Sequence, residues 1–128
     1  MTISVVCGII IKEGKILAAQ RSATMSLPLK WEFPGGKLHP GESEEEALKR
    51  ELQEELNIIV SLDKRLTPSP YDYGDIKIDL IPFLTHYLAG EIILREHLQI
   101  GWFTAQELLT LDWAPADLPI VREIVKSQ

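Results

Sequence analysis

Glu51, Glu54 and Glu55 stand at positions i, i+3 and i+4, a spacing that puts all three carboxylates on one face of a helix. Carboxylates this close repel, and partial shielding from water makes the repulsion worse. A hard divalent cation removes the problem by taking their oxygens as ligands, and Mg²⁺ readily combines a few carboxylates with waters and phosphate oxygens. Such an ion neutralises a bound polyphosphate and orients or activates a water for in-line attack on phosphorus. Upstream lies Gly35-Gly36-Lys37-Leu38-His39-Pro40-Gly41, followed by Glu42. This glycine-rich segment reads as a loop that can bring a backbone carbonyl near Gly36 to the same ion. Glu44, Glu45 and Glu46, by contrast, read as a solvated acidic surface.

These residues need a helix and a sheet to hold them. Ser43 to Leu56 is predicted helical. Ser43 and Glu46 form a capping-box pattern, and Leu48, Leu52 and Leu56 recur every fourth residue as a core stripe. Asn57 suits the left-handed residue that ends a helix. Ile3–Ile11 and Lys15–Gln20 read as a strand hairpin across Glu13-Gly14, and 21–30 as a loop. Trp31-Glu32-Phe33 is a short extended piece, with Phe33 held extended by Pro34. Strands are expected at 58–62, 66–71, 76–88 and 100–103, and a loop or irregular edge over 90–99. A short helix is expected over 104–109 and a final amphipathic one over 116–126, with Ile120, Ile124 and Val125 inward. Strands and helices mix without regular alternation, so the expected class is α/β: a mixed β-sheet sandwiched between helices.

The whole-chain properties agree. The 128 residues, with 45% apolar and 25% charged, suit one globular domain. The net charge of −6 argues against polymeric nucleic acid, which needs clustered Lys and Arg, but not against a single nucleotide beside a metal ion. No apolar run approaches the ~20 residues of a membrane span, and Met1-Thr2-Ile3-Ser4 lacks the basic start of a secretory signal. The single cysteine, Cys7, allows no intrachain disulfide and reads as a buried thiol, which makes a cytoplasmic setting the expectation. Monomer and homodimer are both open. Trp31, Trp102 and Trp113 read as packing residues. His39, His86 and His97 show no metal-ligand spacing and read as structural or surface residues.

Residues 36–58 closely resemble the Nudix box: Gly36, five residues, Glu42, seven residues, Arg50-Glu51-Leu52-Gln53-Glu54-Glu55-Leu56-Asn57-Ile58. Asn57 stands where the pattern has glycine, and asparagine tolerates the same backbone conformation. The resemblance extends over almost the whole chain to the MutT-type branch of Nudix hydrolases. It includes Trp31-Glu32-Phe33-Pro34-Gly35-Gly36-Lys37. It also includes Ala114-Pro115-Ala116-Asp117-Leu118-Pro119, which is similar to the base-pocket segment of CTP pyrophosphohydrolases.

The resemblance implies a Nudix hydrolase domain over 1–128 that converts a nucleoside triphosphate to monophosphate and pyrophosphate. The substrates implied are (d)CTP or modified and oxidised dNTPs such as 8-oxo-dGTP, and the role implied is nucleotide-pool sanitation. It implies Mg²⁺, with Mn²⁺ as an alternative, held by Glu51, Glu54, Glu55, the Gly36 carbonyl and Glu96 from a late loop. Arg50 would hold Glu51, and Glu42 would support the loop or bind metal indirectly. Which glutamate acts as general base stays open, with Glu51 the first choice, since a base within reach of a metal-bound water suffices. Lys37 would orient the water or touch phosphate, and Arg21 would contact phosphate.

Two roles stay open for Phe33, contact with the base or core packing. Two also stay open for Asp117, acceptance of hydrogen bonds from a base or capping of the last helix. The implied alternatives are ADP-ribose or dinucleotide polyphosphates as substrates, or a nucleotide-sensing domain without turnover.

Overall fold

The computed structural model describes residues 2–127. Its strands are β1 (Thr2–Lys12), β2 (Lys15–Gln20), β3 (Trp31–Glu32), β4 (Gly35–Lys37), β5 (Ile59–Arg65), β6 (Ser69–Asp72), β7 (Lys77–Ala89) and β8 (Gln99–Phe103). The helices are α1 (Glu44–Leu56), α2 (Ala105–Leu108) and α3 (Leu118–Lys126), with a 3₁₀ turn at Pro115–Asp117. All eight strands form one sheet, with the path β3-β2-β1-β7-β5 and β4, β6 and β8 attached to β1, β7 and β2. β1 and β7 run parallel from Thr2/Lys77 to Ile11/His86, and the other pairs are antiparallel.

Side chains alternate across a strand, and β1 divides the core on that rule. Val6 and Ile10 pack with Leu48, Leu52 and Leu56 of α1, while Cys7 and Ile9 pack with Ile120, Val121 and Ile124 of α3. The sheet therefore lies between α1 on one face and α2 with α3 on the other, an α/β/α sandwich.

Three expectations need correction. The stretch 35–41 is not all loop, because Gly35–Lys37 pairs with Val5–Cys7 as β4. A Cβ on Gly35 would collide with the Val6 carbonyl, so the missing side chain is what lets the strands approach. The strand expected at 66–71 begins later, at Ser69, with Pro68 just ahead of it. The expected helix 116–126 is a 3₁₀ turn followed by α3, with Pro115 and Pro119 at their starts. Val121 is also buried on the inward face of α3.

Candidate active site

α1 starts as the capping pattern requires. The Ser43 side chain accepts from the Glu46 backbone N–H at 3.1 Å, and Glu46 accepts from the Ser43 N–H at 2.9 Å. It ends at Asn57, at φ 62° and ψ 34°. Between these caps, Arg50 gathers the acidic side chains. Its Nε and Nη2 donate to the two Glu42 oxygens at 2.6 and 2.9 Å. Its Nη1 reaches Glu51 Oε1 at 2.9 Å and Glu54 Oε2 at 3.2 Å, and Nη2 also reaches the Lys37 carbonyl at 3.2 Å. Glu42 additionally accepts from the His39 N–H at 2.9 Å, tying the loop to the helix. The Arg50 hydrogen bonds, with this backbone contact, hold the Glu42 carboxyl down at about 2.

Glu51 is buried, and a Cβ on Gly36 would overlap its carboxylate. The glycine at 36 thus lets the β4 backbone lie directly against Glu51. Glu54 is exposed. Glu55 turns the other way, into a cleft of about 410 Å³ that it lines together with Gly36, Lys37, Glu96, Arg21 and Phe33. Burial raises the Glu55 carboxyl and Glu96 adds repulsion; His97 partly offsets this, and Glu51 and Glu32 add smaller repulsions. A larger, more open groove of about 540 Å³ beside α3, near Thr67, Pro119 and Arg122, holds none of these groups.

The other end of the cleft is formed by segments far apart in sequence. Asp117 is buried, and its Oδ2 accepts from the Phe33 backbone N–H at 2.9 Å. Asp117 occupies the N-cap position of α3, but its side chain makes no capping hydrogen bond. Its side chain therefore does not cap α3, and Asp117 lines the cleft. Burial pushes its carboxyl well above the usual carboxylate range, partly offset by the Phe33 N–H. Phe33 packs on Trp113 with ring centroids 4.6 Å apart and lines the cleft as well, so packing and cleft exposure coexist.

Tyr73 and Cys7 join this wall. The Tyr73 hydroxyl accepts from the Ala116 N–H at 3.0 Å. No spacing in the sequence pointed to either residue.

Arg21 lines the cleft, but its nitrogens are engaged: Nη1 pairs with Glu32 Oε1 at 2.8 Å, and Nε and Nη2 hold Ser26 at 2.5 and 2.8 Å. Glu32 and His97 were given no site role by spacing, yet both line the cleft. The His97 side chain is only 4% exposed, so it is no surface residue. Its available signal was adjacency to Glu96.

Among the described residues no three His, Cys, Asp or Glu side chains are drawn together as a ligand cluster. Glu51 and Glu54 point to Arg50, and Glu55 and Glu96 point to the cleft. The donor set still suits a divalent cation. It consists of hard oxygens from α1, the Gly36 backbone and the late loop, and Glu55 sits among like charges that a cation would relieve.

By its family and its named relatives the chain is a hydrolase of phosphate anhydrides. The NUDIX domain model matches residues 1–124, and the chain belongs to the NUDIX family. It is 38% identical over 127 residues, 96% of this chain and 88% of the relative, to the putative 8-oxo-dGTP diphosphatase 2 of Mycobacterium tuberculosis. It is 37% identical over 119 residues, 93% of this chain and 88% of the relative, to the CTP pyrophosphohydrolase of Escherichia coli. Its fold superimposes on the MutT protein of methicillin-resistant Staphylococcus aureus 252 with a TM-score of 0.81 at 39% identity, covering 100% of this chain and 98% of that one. Nudix hydrolases generally act on small nucleotides with a divalent metal. Among the described residues no helix is long and apolar enough to cross a membrane.

Proposed function

We propose that the chain is a Mg²⁺-dependent nucleoside triphosphate pyrophosphohydrolase that acts on (d)CTP or oxidised dNTPs and so clears unwanted nucleotides from the pool. The observation that supports this reading most is the division of one cleft. The Asp117 carboxylate lies at one end, and Glu55, Glu96 and the Gly36 backbone at the other.

In this reading Glu51, Glu54, Glu55, Glu96 and the Gly36 carbonyl hold the cation, with Mn²⁺ as a possible substitute. A cation held there would supply charge screening for the polyphosphate and Lewis acidity at the phosphoryl oxygens. Lys37, exposed at the cleft rim, meets phosphate or orients the water. Glu51 accepts the water's proton as oxygen adds to phosphorus. The anhydride bond between the first and second phosphates breaks, giving monophosphate and pyrophosphate. Arg50 restrains Glu51 and leaves its second oxygen free of that contact.

Base choice rests on Asp117. As an ionised carboxylate it accepts from the exocyclic amine of cytosine. Its raised carboxyl also makes a protonated form accessible, which donates as well as accepts and so suits an oxidised guanine. Steady-state rates on dCTP, CTP, 8-oxo-dGTP, ADP-ribose and diadenosine tetraphosphate rank these substrates. The site reading is tested by Glu54→Gln, which should nearly abolish Mg²⁺-dependent pyrophosphate release while the fold is kept. Undiminished release in that variant would sink the ligand role of Glu54.

A further inference from the structure

His97 sits where the two halves of the cleft meet. Its side chain is 4% exposed, and the two ring nitrogens face different carboxylates. Nε2 lies 2.7 Å from Glu32 Oε2. Nδ1 is buried without a hydrogen-bond partner and lies 4.0 Å from Glu55 Oε2, too far for a direct hydrogen bond.

Glu32 is held at both oxygens, by Arg21 at Oε1 and by His97 at Oε2. Arg21 in turn grips Ser26 in the 22–30 loop that borders the cleft. A continuous set of polar contacts thus runs from that loop through Arg21, Glu32 and His97. It stops one short gap before Glu55 on α1.

We propose that His97 is a positioning residue with two separable tasks: its Nε2 edge fixes Glu32 and Arg21 on the substrate side, and its Nδ1 edge sets the place of Glu55 on the metal side. Two features of the geometry support this. Nε2 is within hydrogen-bond distance of Glu32 Oε2, and the Nδ1 edge is turned to Glu55 with no partner of its own. The buried Nδ1 edge bounds Glu55 on the side that faces Glu32, so the Glu55 carboxylate is left to the remainder of the cleft it lines. The ring also separates Glu32 from Glu55, two carboxylates that would otherwise compete for one cation. This inference rests on the metal-hydrolase reading of the cleft.

The two edges can be tested apart, because a glutamine amide lies near the Nε2 position of the ring and an asparagine amide near the Nδ1 position. Mn²⁺ binding is measured by electron paramagnetic resonance on substrate-free protein. KM is measured on the best triphosphate. His97→Gln should keep KM near wild type and weaken Mn²⁺ binding, and His97→Asn should do the reverse. Each loss is expected at about tenfold, the scale of lost outer-shell support for a metal ligand. Equal shifts of both readouts in both variants, or no shift in either, would overturn the proposal in favour of simple packing. A wild-type protein that binds no Mn²⁺ overturns the metal reading and this inference together. Wild-type binding without the opposed split overturns the His97 role alone. The variants are read separately, so if one fails to fold the other still decides.

Discussion

The two ends of the cleft are built in opposite ways. At the end proposed to hold metal, Glu42, Arg50, Glu51, Glu54 and Glu55 come from one loop and one helix, and a single guanidinium holds three of the carboxylates, Glu42, Glu51 and Glu54. At the end proposed to hold the nucleoside, Phe33, Tyr73 and Asp117 come from three distant segments, joined by buried or half-buried hydrogen bonds. Ion pairs at partly exposed side chains are weak and exchangeable, whereas a buried carboxylate with a fixed backbone donor is a rigid acceptor. The contrast suits the two tasks. On the proposed function, one end would admit and release a cation with each nucleotide, and the other would hold a base against a fixed carboxyl group.

The largest effect that tests the contrast is at the metal end. Glu51→Gln should lower kcat by about 10²- to 10⁴-fold, the range for loss of a general base, with little change in thermal midpoint. Arg50 keeps both Glu42 contacts and Glu54 in that variant, so the ion-pair set survives. Retained turnover would move the base role to another glutamate.

Next comes Gly36→Ala. The added methyl would overlap the Glu51 carboxylate, so either Glu51 or the β4 backbone must shift. Displacement on the order of 1 Å at a catalytic group costs about 10²-fold in rate, and overpacking costs about 1–3 kcal/mol of stability. Rate and unfolding should therefore both suffer, unlike in Glu51→Gln. A normal kcat in Gly36→Ala would show that Glu51 has no fixed place to lose.

The same contrast explains what was legible in the sequence. The metal end is local: leucine period, capping box, Asn57 and the glutamate spacing lie within one stretch, so helix and acidic face could be read directly. Asp117 was reached through a short motif, and the structure removes one of its two open roles, since its side chain caps nothing. β4 could not be read, because a three-residue glycine-rich strand exists only through its pairing with β1. Tyr73 and His97 reach the cleft through the tertiary path of β6–β7 and of the loop before β8, and nothing in their neighbours' periodicity marks that. The dispersal of Glu51 and Glu54 toward Arg50 was only half visible. Sequence supplies the charges, while the rotamers they choose depend on the guanidinium between them.

A moderate effect is expected at the nucleoside end. Asp117→Asn keeps an oxygen for the Phe33 N–H and adds an amide donor. The ratio of kcat/KM between cytosine and oxidised guanine triphosphates should shift by about 10- to 100-fold, the scale of one good base contact. Turnover of the better substrate should persist. The variant also has a pH signature. Burial raises the Asp117 carboxyl above the usual 3.8, so over a window above that value the folded state holds a proton that the unfolded chain has lost. Wild-type stability then falls as pH rises through the window. Asp117→Asn lacks that slope, so its thermal midpoint relative to wild type should climb from pH 4 toward pH 8. A pH-independent difference would mean that Asp117 is not desolvated.

The smallest effect should come from Glu42→Gln, and it tests whether the metal end is indeed held by exchangeable charge. Glutamine keeps an acceptor for the His39 N–H but removes one of Arg50's three charged partners. Arg50 should then hold Glu51 and Glu54 more tightly against an incoming cation. The half-saturating Mg²⁺ concentration should rise by about two- to fivefold, the scale of a surface ion pair, with kcat at saturating Mg²⁺ unchanged. The pH dependence runs opposite to that of Asp117. Arg50 holds the Glu42 carboxyl at about 2 against the usual 4.5. Its contribution to stability is therefore fully present above 4.5 and is lost as pH falls toward 2. Thermal midpoints of wild type and Glu42→Gln should differ at pH 6 and converge below pH 3. A gap that stays constant across that range would show that Glu42 acts through packing, and the ion pair would then no longer distinguish this end of the cleft from the other.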